Sequence, residues 1–196
     1  MKRSSLPLLF AIVFVLSIGT PARGTHIDCQ GQGVPHQFLG DSGNNTITGN
    51  DNPNVMAGLG GDDTLEGRGG GDTMCGNEDN DTIRGEGGAD SINAGDGRDS
   101  TVSGGDGGDS IHGGALADDA SGDGGADFVD GDNGADEIHG NADDDTVEDG
   151  LGATDSDLLF GDHQTDTFQI CDQPGEGATA VDFAPGETIT FNAAFC

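Results

Sequence analysis

The stretch Gly104-Gly105-Asp106-Gly107-Gly108-Asp109-Ser110-Ile111-His112 is one complete copy of a nine-residue unit, G-x-x-G-x-D-x-U-x, where U is a bulky apolar residue. Reading outward from it, in-phase copies begin at Gly40, Gly49, Gly58, Gly67, Gly76, Gly85, Ala94, Gly113, Gly122, Gly131, Gly140, Gly152 and Gly161. Together these make fourteen units, with one extra residue near Ser103 and three (Asp149, Gly150 and Leu151) before Gly152. The sixth position is Asp in twelve units and Asn in two, at Asn45 and Asn54. A fixed short period is the mark of a solenoid, in which each unit buries its apolar face only by stacking on its neighbours.

Each unit divides into a six-residue turn and a three-residue strand, x-U-x. So short a strand holds only by pairing with its equivalents in neighbouring coils. Two units therefore make one coil, and coils stack at roughly 4.8 Å. Alternation along the strand sends U inward and its two neighbours outward. The expected core is one row per sheet: Ile47, Leu65, Ile83, Ile138 and Leu159 on one, and Met56, Met74, Ile92, Ile111, Val129, Val147 and Phe168 on the other. In the unit at Ala94, Thr101 falls at U, and the extra residue is expected to let Val102 turn inward through a bulge. Glycines at positions one and four are expected to supply the positive φ and close approach of a tight turn. Where position four is not glycine it is often Asn52, Asp79, Asp143 or Asp155, types that tolerate left-handed geometry. Leu116 is an exception, and with Ala120 at the core position it marks residues 113–121 as the weakest unit.

Position six falls in the turn and stacks on its equivalent one coil away. Carboxylates at that spacing repel unless a cation lies between them. Ca²⁺ suits the gap, because it accepts six to eight oxygens from carboxylates and carbonyls in flexible geometry, whereas Mg²⁺ demands a stricter octahedron. The repeat resembles the RTX, or haemolysin-type, calcium-binding repeat, and the resemblance spans about two-thirds of the chain. It implies an all-β fold: a right-handed parallel β-roll with short N- and C-terminal caps, with several Ca²⁺ ions sandwiched between successive turns. One side would use Asn45, Asp63, Asp81, Asp99, Asp118, Asp136 and Asp157; the other would use Asn54, Asp72, Asp90, Asp109, Asp127, Asp145 and Asp166. Weaker sites are expected at Asn45 and Asn54, which lack the charge, and at Asp118 in the weakest unit. With one apolar side chain per nine residues, burial alone is too small to order so glycine-rich a chain. Metal binding is then expected to carry much of the folding free energy, leaving the roll disordered without Ca²⁺.

The composition narrows the function. There are 38 Gly, no Trp, no Tyr, and 37 acidic residues against six basic ones, for a net charge of −31. Such a chain repels nucleic acid and anionic lipid. Lys2 and Arg3 precede an apolar run from Leu6 to Ile18, and Thr20-Pro21-Ala22 offers a small-residue cleavage site. That is the pattern of a signal peptide, placed at residues 1–24, so the protein is expected outside the cell with no membrane attachment after cleavage. Four cysteines in an exported chain make two disulfides. Of the three pairings, Cys29–Cys75 and Cys171–Cys196 are favoured because each pins a non-repeat end onto the roll. The expected order is signal peptide 1–24, N-terminal cap 25–39, repeats 40–169 and C-terminal cap 170–196. Val181-Asp182-Phe183-Ala184-Pro185-Gly186-Glu187-Thr188-Ile189 is similar to the segment that often follows repeats of this family.

Repeats and caps leave no room for a catalytic domain, and no enzyme activity is expected. His112 and His139 stand at position nine on opposite sheets, His26, His36 and His163 lie in cap or turn segments, and all five are expected to be solvated. Carboxylates that hold Ca²⁺ cannot serve as the proton donors of a glycosidase. The expected function is secreted calcium binding by a monomer, with calcium ions as the partners. The alternative is a Ca²⁺-scaffolded carbohydrate-binding or adhesive module. It would use the outward hydroxyls of Thr46, Thr64 and Thr82, and of Thr73, Ser91 and Ser110, to meet an extracellular polysaccharide.

Overall fold

The computed structural model describes residues 37–150, 156–170, 179–182 and 186–191. The signal segment, Cys29, Cys171, Cys196, His26, His36 and Asp155 lie outside the described residues. The first nine strands are β1 (Gln37–Leu39), β2 (Thr46–Thr48), β3 (Val55–Leu59), β4 (Thr64–Gly69), β5 (Thr73–Glu78), β6 (Thr82–Gly87), β7 (Ser91–Asp96), β8 (Thr101–Asp106) and β9 (Ser110–Ala115). Then come β10 (Asp119–Gly124), β11 (Phe128–Asn133), β12 (Glu137–Ala142), β13 (Thr146–Glu148), β14 (Leu158–Asp162), β15 (Thr167–Ile170), β16 (Thr179–Asp182) and β17 (Thr188–Phe191). Odd strands form a nine-stranded sheet and even strands an eight-stranded one, each in chain order and parallel throughout. No helix occurs among the described residues. The fold is an all-β parallel solenoid, a β-roll.

The period sets the register. Leu65 pairs with Ile83, and Ile111 with both Ile92 and Val129, so each core residue stacks on the next coil's core residue. Met56, Leu65, Met74, Ile83, Ile92, Ile111, Val129, Ile138, Val147, Leu159 and Phe168 are fully buried, and Ile47 nearly so. The two rows meet in one continuous cluster that also takes in Ala94, Ala120 and Ile170. Val102, not Thr101, occupies the core position, opposite Ile83 and Ala120. Register is regular from Thr101 onward, so the extra residue falls in the turn after Asp99.

Two features differ from the sequence reading. Most strands are six residues long, because pairing continues past x-U-x into positions two and three, as in Arg68↔Glu86 and Gly69↔Gly87. Positive φ falls at positions two and four, not one and four: Arg68 (82°), Glu86 (73°) and Asp123 (70°) are examples of the former, and Asp79 (73°) and Leu116 (76°) of the latter. Glycine at position one serves a different purpose, set out below.

The sheets also run beyond the repeats. Strand β1 lies in the leading segment and pairs with β3, while β16 and β17 lie in the trailing segment and extend the two sheets. Phe38 and Ile189 pack against the two ends of the core. Cys75 points away from that core into a small second cluster with Ala57.

Candidate metal centre

The position-six side chains form two rows, one along each edge where turn meets strand. All twelve aspartates, Asp63, Asp81, Asp99, Asp118, Asp136 and Asp157 in one row and Asp72, Asp90, Asp109, Asp127, Asp145 and Asp166 in the other, are at most 4 % exposed. In each, Oδ1 accepts a hydrogen bond of 2.6–2.9 Å from the peptide N–H of the position-six residue one coil earlier. Asp63 N–H donates to Asp81, Asp81 to Asp99, and so on along the row. Where residues are inserted the row persists: Asp136 N–H still reaches Asp157, and Asp145 N–H reaches Asp166, each across 21 residues. The chain absorbs insertions outside the row.

The other carboxylate oxygen is the informative one. In Asp63, Asp72, Asp81, Asp90, Asp99, Asp109, Asp118, Asp127 and Asp145, Oδ2 is buried with no hydrogen-bond partner. Buried acceptors are nearly always satisfied, so a repeated exception calls for a cause. In all of these but Asp99, whose unit opens with Ala94, that oxygen faces the Cα of the position-one glycine of its own unit. A Cβ on Gly58 would lie 2.1 Å from Asp63 Oδ2 and 2.9 Å from the carbonyl oxygen of Gly76, one coil on. On Gly85 it would lie 2.2 Å from Asp90 Oδ2 and 2.4 Å from Gly104 O; on Gly104, 2.3 Å from Asp109 Oδ2 and 2.8 Å from Gly122 O. Glycine at position one therefore lets a carboxylate oxygen and, in most units, a carbonyl oxygen of the next coil converge where a side chain would otherwise stand. That all-oxygen donor set fits a hard cation, and the tolerance of Ca²⁺ for irregular oxygen cages fits better than the octahedron of Mg²⁺.

Electrostatics point the same way. Burial pushes the carboxyls of Asp81 and Asp145 up to about 7, those of Asp90, Asp99, Asp109 and Asp127 to about 6, and that of Asp118 to about 8. Asp63 and Asp72 are raised as well, again chiefly by burial. The peptide N–H on Oδ1 lowers each value, and neighbouring carboxylates in the row raise several, as Asp99 and Asp63 do for Asp81. Without a cation, the rows hold charge that the fold disfavours.

Asn45 and Asn54 head the rows and behave differently. Asn45 Oδ1 accepts from Asp41 N–H at 2.7 Å, and Asn54 Oδ1 from Asn50 N–H at 2.8 Å, closing local turns. Asp149 was not anticipated: it is buried at 2 % exposure within the insertion, out of phase with the repeat, so the period carried no signal for it. The expectation that the histidines are solvated holds for His163, which is exposed. It fails for His112, which is 8 % exposed and faces Asp130 and Asp132, and for half-buried His139, whose ring stacks on Phe160 at 4.4 Å. Their cover comes from the next coil, 18 residues or more along, not from their own unit.

A parallel β-solenoid whose turns carry two lines of buried carboxylates beside glycine carbonyls is a cation-binding repeat scaffold. The RTX calcium-binding nonapeptide repeat matches in four copies, over residues 39–74, 76–100, 100–115 and 112–147, and the chain belongs to that family. These repeats imply calcium binding. No curated protein matches the sequence.

Proposed function

We propose that this is a secreted calcium-binding protein in which several Ca²⁺ ions sit between successive turns and drive folding as they bind. The ligands are Asp63, Asp72, Asp81, Asp90, Asp99, Asp109, Asp127, Asp136, Asp145, Asp157 and Asp166, joined by position-one carbonyls of the adjacent coil. Asn45, Asn54 and Asp118 contribute less: the two Asn oxygens are engaged locally, and Asp118 lies in the unit of Leu116 and Ala120. The observation that carries this reading is the line of buried Oδ2 atoms without hydrogen-bond partners, which at Asp63, Asp72, Asp90, Asp109, Asp118 and Asp127 lie where a glycine carbonyl of the next coil also converges. Residues 1–24 act as the signal peptide, 25–39 and 170–196 cap the roll, and Cys29–Cys75 and Cys171–Cys196 tie the ends down. No catalysis is assigned, and calcium is the sole partner the reading requires.

Far-UV circular dichroism of the exported chain after EDTA treatment tests it, titrating Ca²⁺ with Mg²⁺ as control. A steep gain of β signal with Ca²⁺ alone, at roughly 10⁻⁴–10⁻³ M as for extracellular modules, is the expected result. An unchanged β spectrum in EDTA would show that core and disulfides suffice and would remove the coupling of metal to folding.

A further inference from the structure

We propose that His112, Asp130 and Asp132, with Glu148 beside them, form a second kind of metal site, for a divalent cation that takes imidazole, such as Zn²⁺. It lies on the outer face of the nine-stranded sheet, away from the two turn rows. His112 of β9 pairs in register with Asp130 of β11, and Asp130 with Glu148 of β13, so three coils bring their position-nine side chains into one column. Asp132 joins from position two, where its backbone is left-handed at φ 64°.

The distances do not suit a simple ion pair. Both Asp130 Oδ2 and Asp132 Oδ2 face the same nitrogen, His112 Nδ1, at 3.4 and 3.3 Å. One N–H cannot serve two acceptors well, and charge-assisted N–H···O contacts are shorter, about 2.7–2.9 Å. A tetrahedral ion with ligand bonds of about 2.0–2.1 Å instead holds its ligand atoms about 3.3 Å apart. One ligand atom from each of the three residues lies within 4.8 Å of the others.

The surroundings fix the donors. Asp132 N–H donates to Asp130 Oδ1 at 2.9 Å, turning Asp130 Oδ2 toward the imidazole, a supporting contact of the kind that orients metal ligands. The Phe128 ring lies 5.8 Å from the imidazole and closes one side. The His112 and Asp130 side chains are 10 % and 13 % exposed and that of Asp132 is 36 %, which leaves a way in at Asp132. Two carboxylates at one imidazole, with Glu148 on the next coil, leave excess negative charge even when the imidazole is protonated. An imidazole among carboxylates selects zinc-like ions over calcium. His139 is the internal contrast: its Nδ1 meets Asp162 at 3.0 Å and its Nε2 meets Glu137 at 3.5 Å, so separate nitrogens serve separate carboxylates and no shared point remains for an ion.

The test uses the full exported chain saturated with Ca²⁺ and titrated with Co²⁺ as a visible probe, then with Zn²⁺ as competitor. One equivalent of Co²⁺ should bind with the intense visible bands of a tetrahedral site and be displaced by Zn²⁺. His112→Ala and Asp132→Asn should each weaken that binding at least about 100-fold, and His139→Ala should leave it intact. The Ca²⁺-dependent β spectrum of each variant reports folding, and His112→Gln replaces the alanine variant if that one does not fold. Absence of stoichiometric Co²⁺ binding in the Ca²⁺-loaded protein, binding indifferent to His112, or equal loss in His139→Ala would overturn the proposal. Because calcium is saturating throughout, failure here leaves the turn sites standing, and failure of the turn sites appears separately in the EDTA titration.

Discussion

At the scale of single residues, the turn sites depend on absent atoms as much as on present ones. Gly85→Ala would place a Cβ 2.2 Å from Asp90 Oδ2 and 2.4 Å from Gly104 O, both held by buried structure. It should destabilise the calcium-loaded roll by about 1–3 kcal/mol, as overpacking does, read as a shift in denaturation midpoint at fixed Ca²⁺. Gly60→Ala meets nothing closer than Glu78 Oε2 at 3.7 Å and should be near neutral. The same carboxylates set the pH response. Their folded-state values, about 6 for Asp90, Asp99, Asp109 and Asp127, about 7 for Asp81 and Asp145 and about 8 for Asp118, stand above the ordinary 3.8. A raised acid favours the folded state below its unfolded value, and that contribution is lost as pH rises through the folded value. The metal-free chain should therefore show more β signal in EDTA at pH 5 than at pH 8, and the calcium needed for half-saturation should fall as pH rises from 6 to 8.

At the scale of one element, the unit from Gly113 to Ser121 is where the repeat departs furthest from its own pattern. Leu116 is 64 % exposed yet held at φ 76°, and the fully buried Ala120 stands between Val102 and Ile138 where other coils place larger side chains. A leucine in the left-handed region carries a steric penalty of about 1–2 kcal/mol that glycine avoids. Leu116→Gly should accordingly raise the stability of the calcium-loaded protein by about 1 kcal/mol after its entropic offset, measured by guanidinium unfolding at constant Ca²⁺. The unit still keeps the row intact, because Asp99 N–H reaches Asp118 Oδ1 at 2.8 Å and Asp118 N–H reaches Asp136 Oδ1 at 2.9 Å.

At the scale of the molecule, charge and topology act together. A net charge of −31 opposes compaction, and each coil touches only its neighbours, so no distant contact offsets that repulsion. Neutralising the rows removes it coil by coil along the whole stack. Small-angle scattering of the exported chain should show a radius of gyration near 45 Å in EDTA, as for an unfolded chain of about 170 residues, falling below about 25 Å in Ca²⁺. An equal radius in both conditions would separate calcium binding from folding.

The order of residues by itself determined the solenoid, the pairing register, both core rows and the membership of both acidic rows. In a two-unit coil the neighbour of every residue is the one about 18 positions on, so a single integer decides which side chains stack. Even Val102 replacing Thr101 followed from counting one extra residue. Angles and contacts between coils were not written in that integer. Only the tertiary structure decided that Oδ1 of each row aspartate is taken by a peptide N–H, which in Asp63, Asp72, Asp90, Asp109, Asp118 and Asp127 leaves Oδ2 without a hydrogen bond beside a glycine carbonyl. It also placed the left-handed residues at position two, because pairing continues past the glycine at position one. The column of His112, Asp130 and Glu148 follows the same 18-residue spacing, yet burial of the imidazole required Asp132 to arrive from a left-handed turn and Phe128 to lean over it. Such convergence depends on side-chain direction, which a period of nine does not encode.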